Sequence, residues 1–195
     1  MHSLHSALTI EAQHKQREAQ LQKLPTITKR PCTHWDDRPD ASDIRLLVIH
    51  NISLPPGQFG GNHIADFFQN KLDPKVHPYF AEIADRQVSS HFLIRRDGHV
   101  QQFVSTLNRA WHAGVSSWQG RERCNDFSVG IELEGDDETP FEAAQYATLQ
   151  SLLKALATEL PIKAVTSHSH VAPGRKTDPG PAFDWPRLRA ALLTK

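Results

Sequence analysis

A chain of 195 residues carrying 22 basic and 22 acidic side chains is long enough to bury its own core and has no net charge, which argues against a long polyanion or an anionic membrane as partner. The opening stretch MHSLHSALTIEAQHKQREAQLQKL lacks the apolar centre of a secretory signal, and no later window approaches the roughly 18 apolar residues of a membrane span. With only two cysteines, Cys32 and Cys124, the expectation is a cytoplasmic protein with free thiols, no nucleic-acid partner and, by default, a monomer.

Residues 1–30 are expected to form an N-terminal extension, helical up to Pro25 because Ala, Gln, Glu, Lys and Leu dominate it, and residues 31–195 a single domain. PCTHWDDRPDASD predicts a surface loop. IRLLVIHNIS, residues 44–53, is β-branched and leucine-rich with little polar relief, so it predicts a central strand covered on both faces. LPPGQFGGNH is a long turn and HIADFFQNKL a short helix. In residues 89–104, SSHFLIRRDGHVQQFV, two apolar runs flank Asp97-Gly98 and predict a hairpin. DFSVGIELEG predicts a strand with Val129, Ile131 and Leu133 on one face and Gly130, Glu132 and Glu134 on the other.

Thr139, Pro140 and Glu142 have the form of a capped helix start, with Thr139 as the cap, and the helix that follows stops at Pro161. A short strand near AVTSH, a long Gly/Pro loop and a last helix near DWPRLRAALL complete the chain. This order predicts an α/β fold, a mixed central sheet flanked by helices.

His50 and His168 each end an apolar strand and open onto a loop, which is where sites collect in α/β folds. Asp178 lies ten residues beyond His168, between Thr177 and Pro179. Two histidines and a carboxylate, with a fourth position left to water, form one kind of catalytic zinc site, in which the cation lowers the water pKa toward about 7. If the segment stays extended, His170 competes with His168 for the same face. Glu132 is placed to act as general base, with Glu134 as the alternative nearer an acidic turn of ordinary solvated character, and Gly130 beside it leaves room for a ligand. Lys176, two residues before Asp178 in an extended backbone, would oppose charge developing on an oxyanion.

The stretches VIHNISLPPGQFGG, HPYF, VSSHFLIRRDG, RAWHAGVSSWQGRERCNDFSVGIELEG and HSHVAPGRKTDPGPAFDW, spanning about residues 31 to 187, resemble the type 2 zinc amidases, the family of T7 lysozyme and the peptidoglycan recognition proteins. Within it, the resemblance is to the branch that cleaves soluble 1,6-anhydromuropeptides during cell-wall recycling. The resemblance implies a T7 lysozyme-like fold over 31–195, one Zn2+ held by His50, His168 and Asp178, and Glu132 and Lys176 as catalytic groups. It also implies that Asn51, Trp111 and Arg123 line the substrate cleft and that His112 is not a ligand. The reaction implied is hydrolysis of the amide between the muramyl lactyl group and L-alanine; an amidase acting on intact peptidoglycan is the alternative.

Overall fold

The computed structural model describes residues 27–193; the expected helix before Pro25 lies outside them. Ten strands are described: β1 (Ile27–Lys29), β2 (Trp35–Asp37), β3 (Leu46–Ile52), β4 (Phe92–Ile94), β5 (Val100–Gln102), β6 (Asn108–Ala110), β7 (Ser117–Trp118), β8 (Arg121–Glu122), β9 (Ser128–Glu134) and β10 (Ala164–Ser167). The helices are α1 (His63–Phe68), α2 (Pro78–Ile83), α3 (Ala143–Glu159), α4 (His168–Val171) and α5 (Trp185–Leu193). Six strands form one sheet in the order β1-β5-β4-β9-β3-β10. Only the β4–β5 pair, the hairpin expected around Gly98, is antiparallel in it.

Alternation along the two long central strands divides their side chains between two environments. Leu47 and Ile49 of β3, with Val129, Ile131 and Leu133 of β9, join Leu149, Leu152, Leu153 and Leu156 of α3 and Leu188 of α5 in the main core. On the opposite face Leu46 and Val48 pack with Ala113, Cys124, Phe127 and Val171. A third cluster gathers α1, α2, Leu93 and Phe103. That second face is covered by loops and short helices rather than by long ones, which leaves space over His50 and Glu132.

Three local expectations are corrected. The 3-residue β2 runs through the stretch expected to be loop and pairs antiparallel with β6. Thr139 is not the cap of α3: its N–H and hydroxyl donate to Asp136, closing a turn. Instead Glu142 caps α3, and the Gln145 amide oxygen accepts from the Glu142 N–H. The capping box is therefore Glu142 with Gln145 and not Thr139 with Glu142, since Thr139 is committed to the turn closed by Asp136. Finally, Ser167 accepts from the His170 N–H and starts a helical turn at His168, so the segment does not stay extended.

Arg38, within the expected surface loop, is buried. Its guanidinium donates to the carbonyls of Thr106, Asn125, Asp126 and Ser128 at 3.1, 2.9, 3.1 and 2.7 Å. It thus pins the chain that leads into β9. Arg38→Leu leaves four carbonyls without this donor and is expected to destabilise the protein by at least about 3 kcal/mol. A urea midpoint lowered at unchanged slope is the expected result; an unmoved midpoint would show the carbonyls to be satisfied otherwise.

Candidate metal centre

The β3–β9 register sets His50 directly beside Glu132, and both side chains leave the sheet on the loop-covered face. The turn into α4 delivers His168 at the end of β10, the strand next to β3. The loop beyond α4 returns Asp178 to the same place, where the Asp178 carbonyl accepts from the Ser169 N–H at 3.0 Å. Nδ1 of His50, Nδ1 of His168 and Oδ2 of Asp178 then form a triangle with sides of 2.9, 3.1 and 3.0 Å. Three lone-pair atoms at such separations repel unless a proton or a cation lies among them. A tetrahedral zinc with bonds of about 2.0–2.1 Å separates its ligand atoms by about 3.3–3.4 Å. The set therefore fits a small divalent cation after shifts of a few tenths of an ångström.

The remaining ring nitrogens are also committed. His168 Nε2 meets the Ala113 carbonyl at 3.2 Å, and His50 Nε2 meets His112 Nδ1 at 3.0 Å. Such partners orient imidazole ligands. His170, by contrast, is exposed; the helical turn swings it away from the triangle, which removes it as a rival. Burial draws the pKa of His50 down to about 4 against the raising effect of Asp178. Burial alone would raise Asp178, but hydrogen bonds with His168 and His50 outweigh it and hold the carboxyl well below the usual range.

Glu132 Oε1 lies 4.0 Å from His50 Nδ1, and its Oε2 is buried without a hydrogen-bond partner among the described residues. Burial, reinforced by the Asp178 charge and opposed by Lys176, pushes the Glu132 pKa well above the ordinary glutamate value. A carboxylate kept dry beside the triangle of His50, His168 and Asp178 and left unsatisfied is a poor structural element and a good proton acceptor. Glu134 is the reverse case. It accepts from the Gly60 and Arg96 N–H groups at 2.6 and 3.1 Å and pairs with Arg95 at 3.2 Å, so it ties two loops together and its lone pairs are used.

A cavity of about 770 Å³ opens over the triangle, lined among others by Asn51, Trp111, Glu132 and Lys176. Trp111 is steered by β2: its indole N–H donates to Asp36 at 3.0 Å, and its ring stacks on His34 with centroids 6.0 Å apart. Asn51 donates to Asp137 at 2.8 Å. The turn Asp136–Glu138 itself lines the cavity, so the expectation of an ordinary solvated acidic loop is corrected: Asp137 anchors a cleft residue. Arg123 is not brought into this cavity. It is largely exposed, pairs with Asp126 at 3.2 Å and lines a neighbouring hollow of about 480 Å³, while Arg175 borders both. The space expected beside Gly130 belongs to protein rather than ligand, since a Cβ there would lie 2.5 Å from Cγ of His112. Both cysteines are free and buried.

Residues 39–181 match the family described as N-acetylmuramoyl-L-alanine amidase. The chain is 57% identical over 164 residues to the 1,6-anhydro-N-acetylmuramyl-L-alanine amidase AmpD of Escherichia coli K12, covering 83% of this chain and 90% of that one. Among solved structures, the crystal structure of a selenomethionine derivative of AmpD matches with a TM-score of 0.84 at 55% identity, over 86% of this chain and 95% of that one. The Escherichia coli amidase AmiD, solved in complex with the substrate anhydro-N-acetylmuramic acid-L-Ala-D-gamma-Glu-L-Lys, matches with a TM-score of 0.58 at 32% identity, over 80% of this chain and 60% of that one.

Proposed function

The chain belongs to the N-acetylmuramoyl-L-alanine amidase family, and from that premise we propose that it is a zinc enzyme hydrolysing soluble 1,6-anhydromuropeptides in the cytoplasm during cell-wall recycling. The bond cleaved joins the lactyl carbonyl of the anhydromuramic acid to the nitrogen of L-alanine. The observation that carries the mechanism is the triangle of His50, His168 and Asp178 beside the unpartnered Glu132. The similarity to AmpD over most of both chains carries the substrate.

His50, His168 and Asp178 would hold the zinc, which when bound supplies Lewis acidity and makes water acidic enough to attack near neutral pH. Glu132 accepts a proton from the attacking water and returns it to the alanine nitrogen as the C–N bond breaks. Its raised proton affinity suits both halves of that exchange. Lys176 opposes the negative charge on the former carbonyl oxygen in the tetrahedral intermediate, and the indole of Trp111 offers a flat face to the sugar. Asn51, held by an N–H donated to Asp137, presents the rest of its side-chain amide to the peptide. Arg123, at the border of the neighbouring hollow, is proposed to grip a stem-peptide carboxylate where the peptide leaves the cleft.

Lys176→Ala is expected to lower kcat about 10²- to 10³-fold, the loss of one oxyanion partner, with zinc content unchanged. A change confined to KM would assign the lysine to ground-state binding. The substrate is tested by assaying the purified zinc-loaded protein on anhydromuropeptide and on insoluble peptidoglycan. Preference for the soluble muropeptide is expected; preference for the intact wall would favour the broader amidase reading.

A further inference from the structure

We infer that His112, backed by Ser128, is a positioning residue that fixes the tautomer of His50 and so turns the bare Nδ1 of His50 toward the metal triangle. The inference deepens the proposed function and rests on His50 being a metal ligand.

Ser128 Oγ lies 2.6 Å from the carbonyl oxygen of Cys124. That oxygen has no hydrogen to give, so the single hydroxyl hydrogen of Ser128 is used there. Toward His112 Nε2, at 3.1 Å, the Ser128 oxygen then has only lone pairs, and His112 Nε2 must be the donor. A neutral imidazole carries one N–H, so His112 Nδ1 is an acceptor, and the hydrogen in the 3.0 Å contact with His50 comes from His50 Nε2. His50 is thereby left with an unprotonated Nδ1, the atom that faces His168 and Asp178.

The surroundings support a neutral His112. Its ring lies against His50, His91 and Ser128, and among the described residues its two ring nitrogens meet an imidazole and a hydroxyl rather than a carboxylate that would compensate a buried positive charge. Its place is also prepared. Gly130 admits the ring where any Cβ would collide with it, and the Asn125 side-chain oxygen accepts from the N–H groups of His112 and Ala113 at 3.2 and 2.8 Å. Adjacent residues thus orient both imidazoles of the triangle. Ala113 does so with a carbonyl, which can only accept from His168 Nε2. His112 does so with a side chain whose own proton must first be placed, and placing it is the task of Ser128.

Imidazole ¹⁵N spectra of the zinc-loaded wild type test the chain directly. His112 is expected as the Nε2–H form with an unprotonated, hydrogen-bonded Nδ1, and Ser128→Ala is expected to convert it to a mixture of tautomers. By chelator competition, His112→Ala should hold zinc about 10- to 100-fold more weakly, the usual effect of losing a partner behind a ligand. His112→Asn, whose amide oxygen can stand near the position of Nδ1, should recover much of the loss; a merely space-filling role would not be rescued this way. A proton found on His112 Nδ1, or zinc held by His112→Ala as tightly as by the wild type, would overturn the inference. Should the His112 variants fail to fold, the wild-type spectrum and Ser128→Ala decide. Failure of the metal reading itself would look different: the wild type would bind no zinc, while the spectrum of the metal-free protein would still report the His112 tautomer.

Discussion

Glu132→Gln is expected to lower kcat about 10²- to 10⁴-fold, the range associated with losing a positioned general acid–base, while leaving zinc content and KM close to those of the wild type. Glutamine keeps the shape of the side chain, so the packing of β9 is preserved, but its amide cannot take a proton from water and deliver it to a leaving nitrogen. Glu132 makes few commitments that the substitution would break, since one carboxylate oxygen has no hydrogen-bond partner and the other only approaches His50 at 4.0 Å. The stability of Glu132→Gln is expected to equal or exceed that of the wild type, because a buried carboxylate with an upward-shifted pKa costs folding energy when ionised. Full activity in this variant would remove Glu132 from the mechanism, and loss of zinc would mean that the residue supports the metal instead.

The second large effect is expected at Asp178. Asp178→Asn keeps the size and one oxygen of the side chain but removes the charge that would balance a cation held with the two imidazoles. Zinc retention through purification is expected to fall below one ion per chain, and hydrolysis of anhydromuropeptide to fall with it. The comparison with Glu132→Gln is informative because the two residues lie in one cavity. One substitution is expected to stop proton transfer with the metal in place, the other to stop it by losing the metal. Metal analysis beside a rate measurement separates them, and an Asp178→Asn protein that keeps stoichiometric zinc would contradict the assignment of its carboxylate as a ligand.

Much of this centre was legible in the sequence because strand alternation is a rigid rule. The apolar run before His50 in β3 and a β9 with glutamates on one face set His50 and Glu132 on the same side of the sheet, and the pairing of the two strands puts them side by side. Where the chain leaves regular structure, the rule stops. The choice between His168 and His170 turned on whether the chain remained extended past Ser167, and the serine cap that ends the extension forms a contact only three residues long. The acidic turn Asp136–Glu138 has the composition of a solvated loop, yet contact with Asn51 makes it part of the cleft; nothing local distinguishes the two cases. The room beside Gly130 holds the His112 ring and not the expected ligand, because His112 comes from a segment eighteen positions earlier that strand alternation does not locate. The burial of Arg38 and the separation of Arg123 from the main cavity depend likewise on long-range packing.

Whether hydrolysis needs the cation is decided by titrating zinc into chelator-stripped protein while following cleavage of anhydromuropeptide. Activity is expected to be absent in the stripped protein, to rise linearly with added zinc and to reach its plateau at one ion per chain. Hydrolysis at the full rate by protein free of any divalent ion would contradict the account.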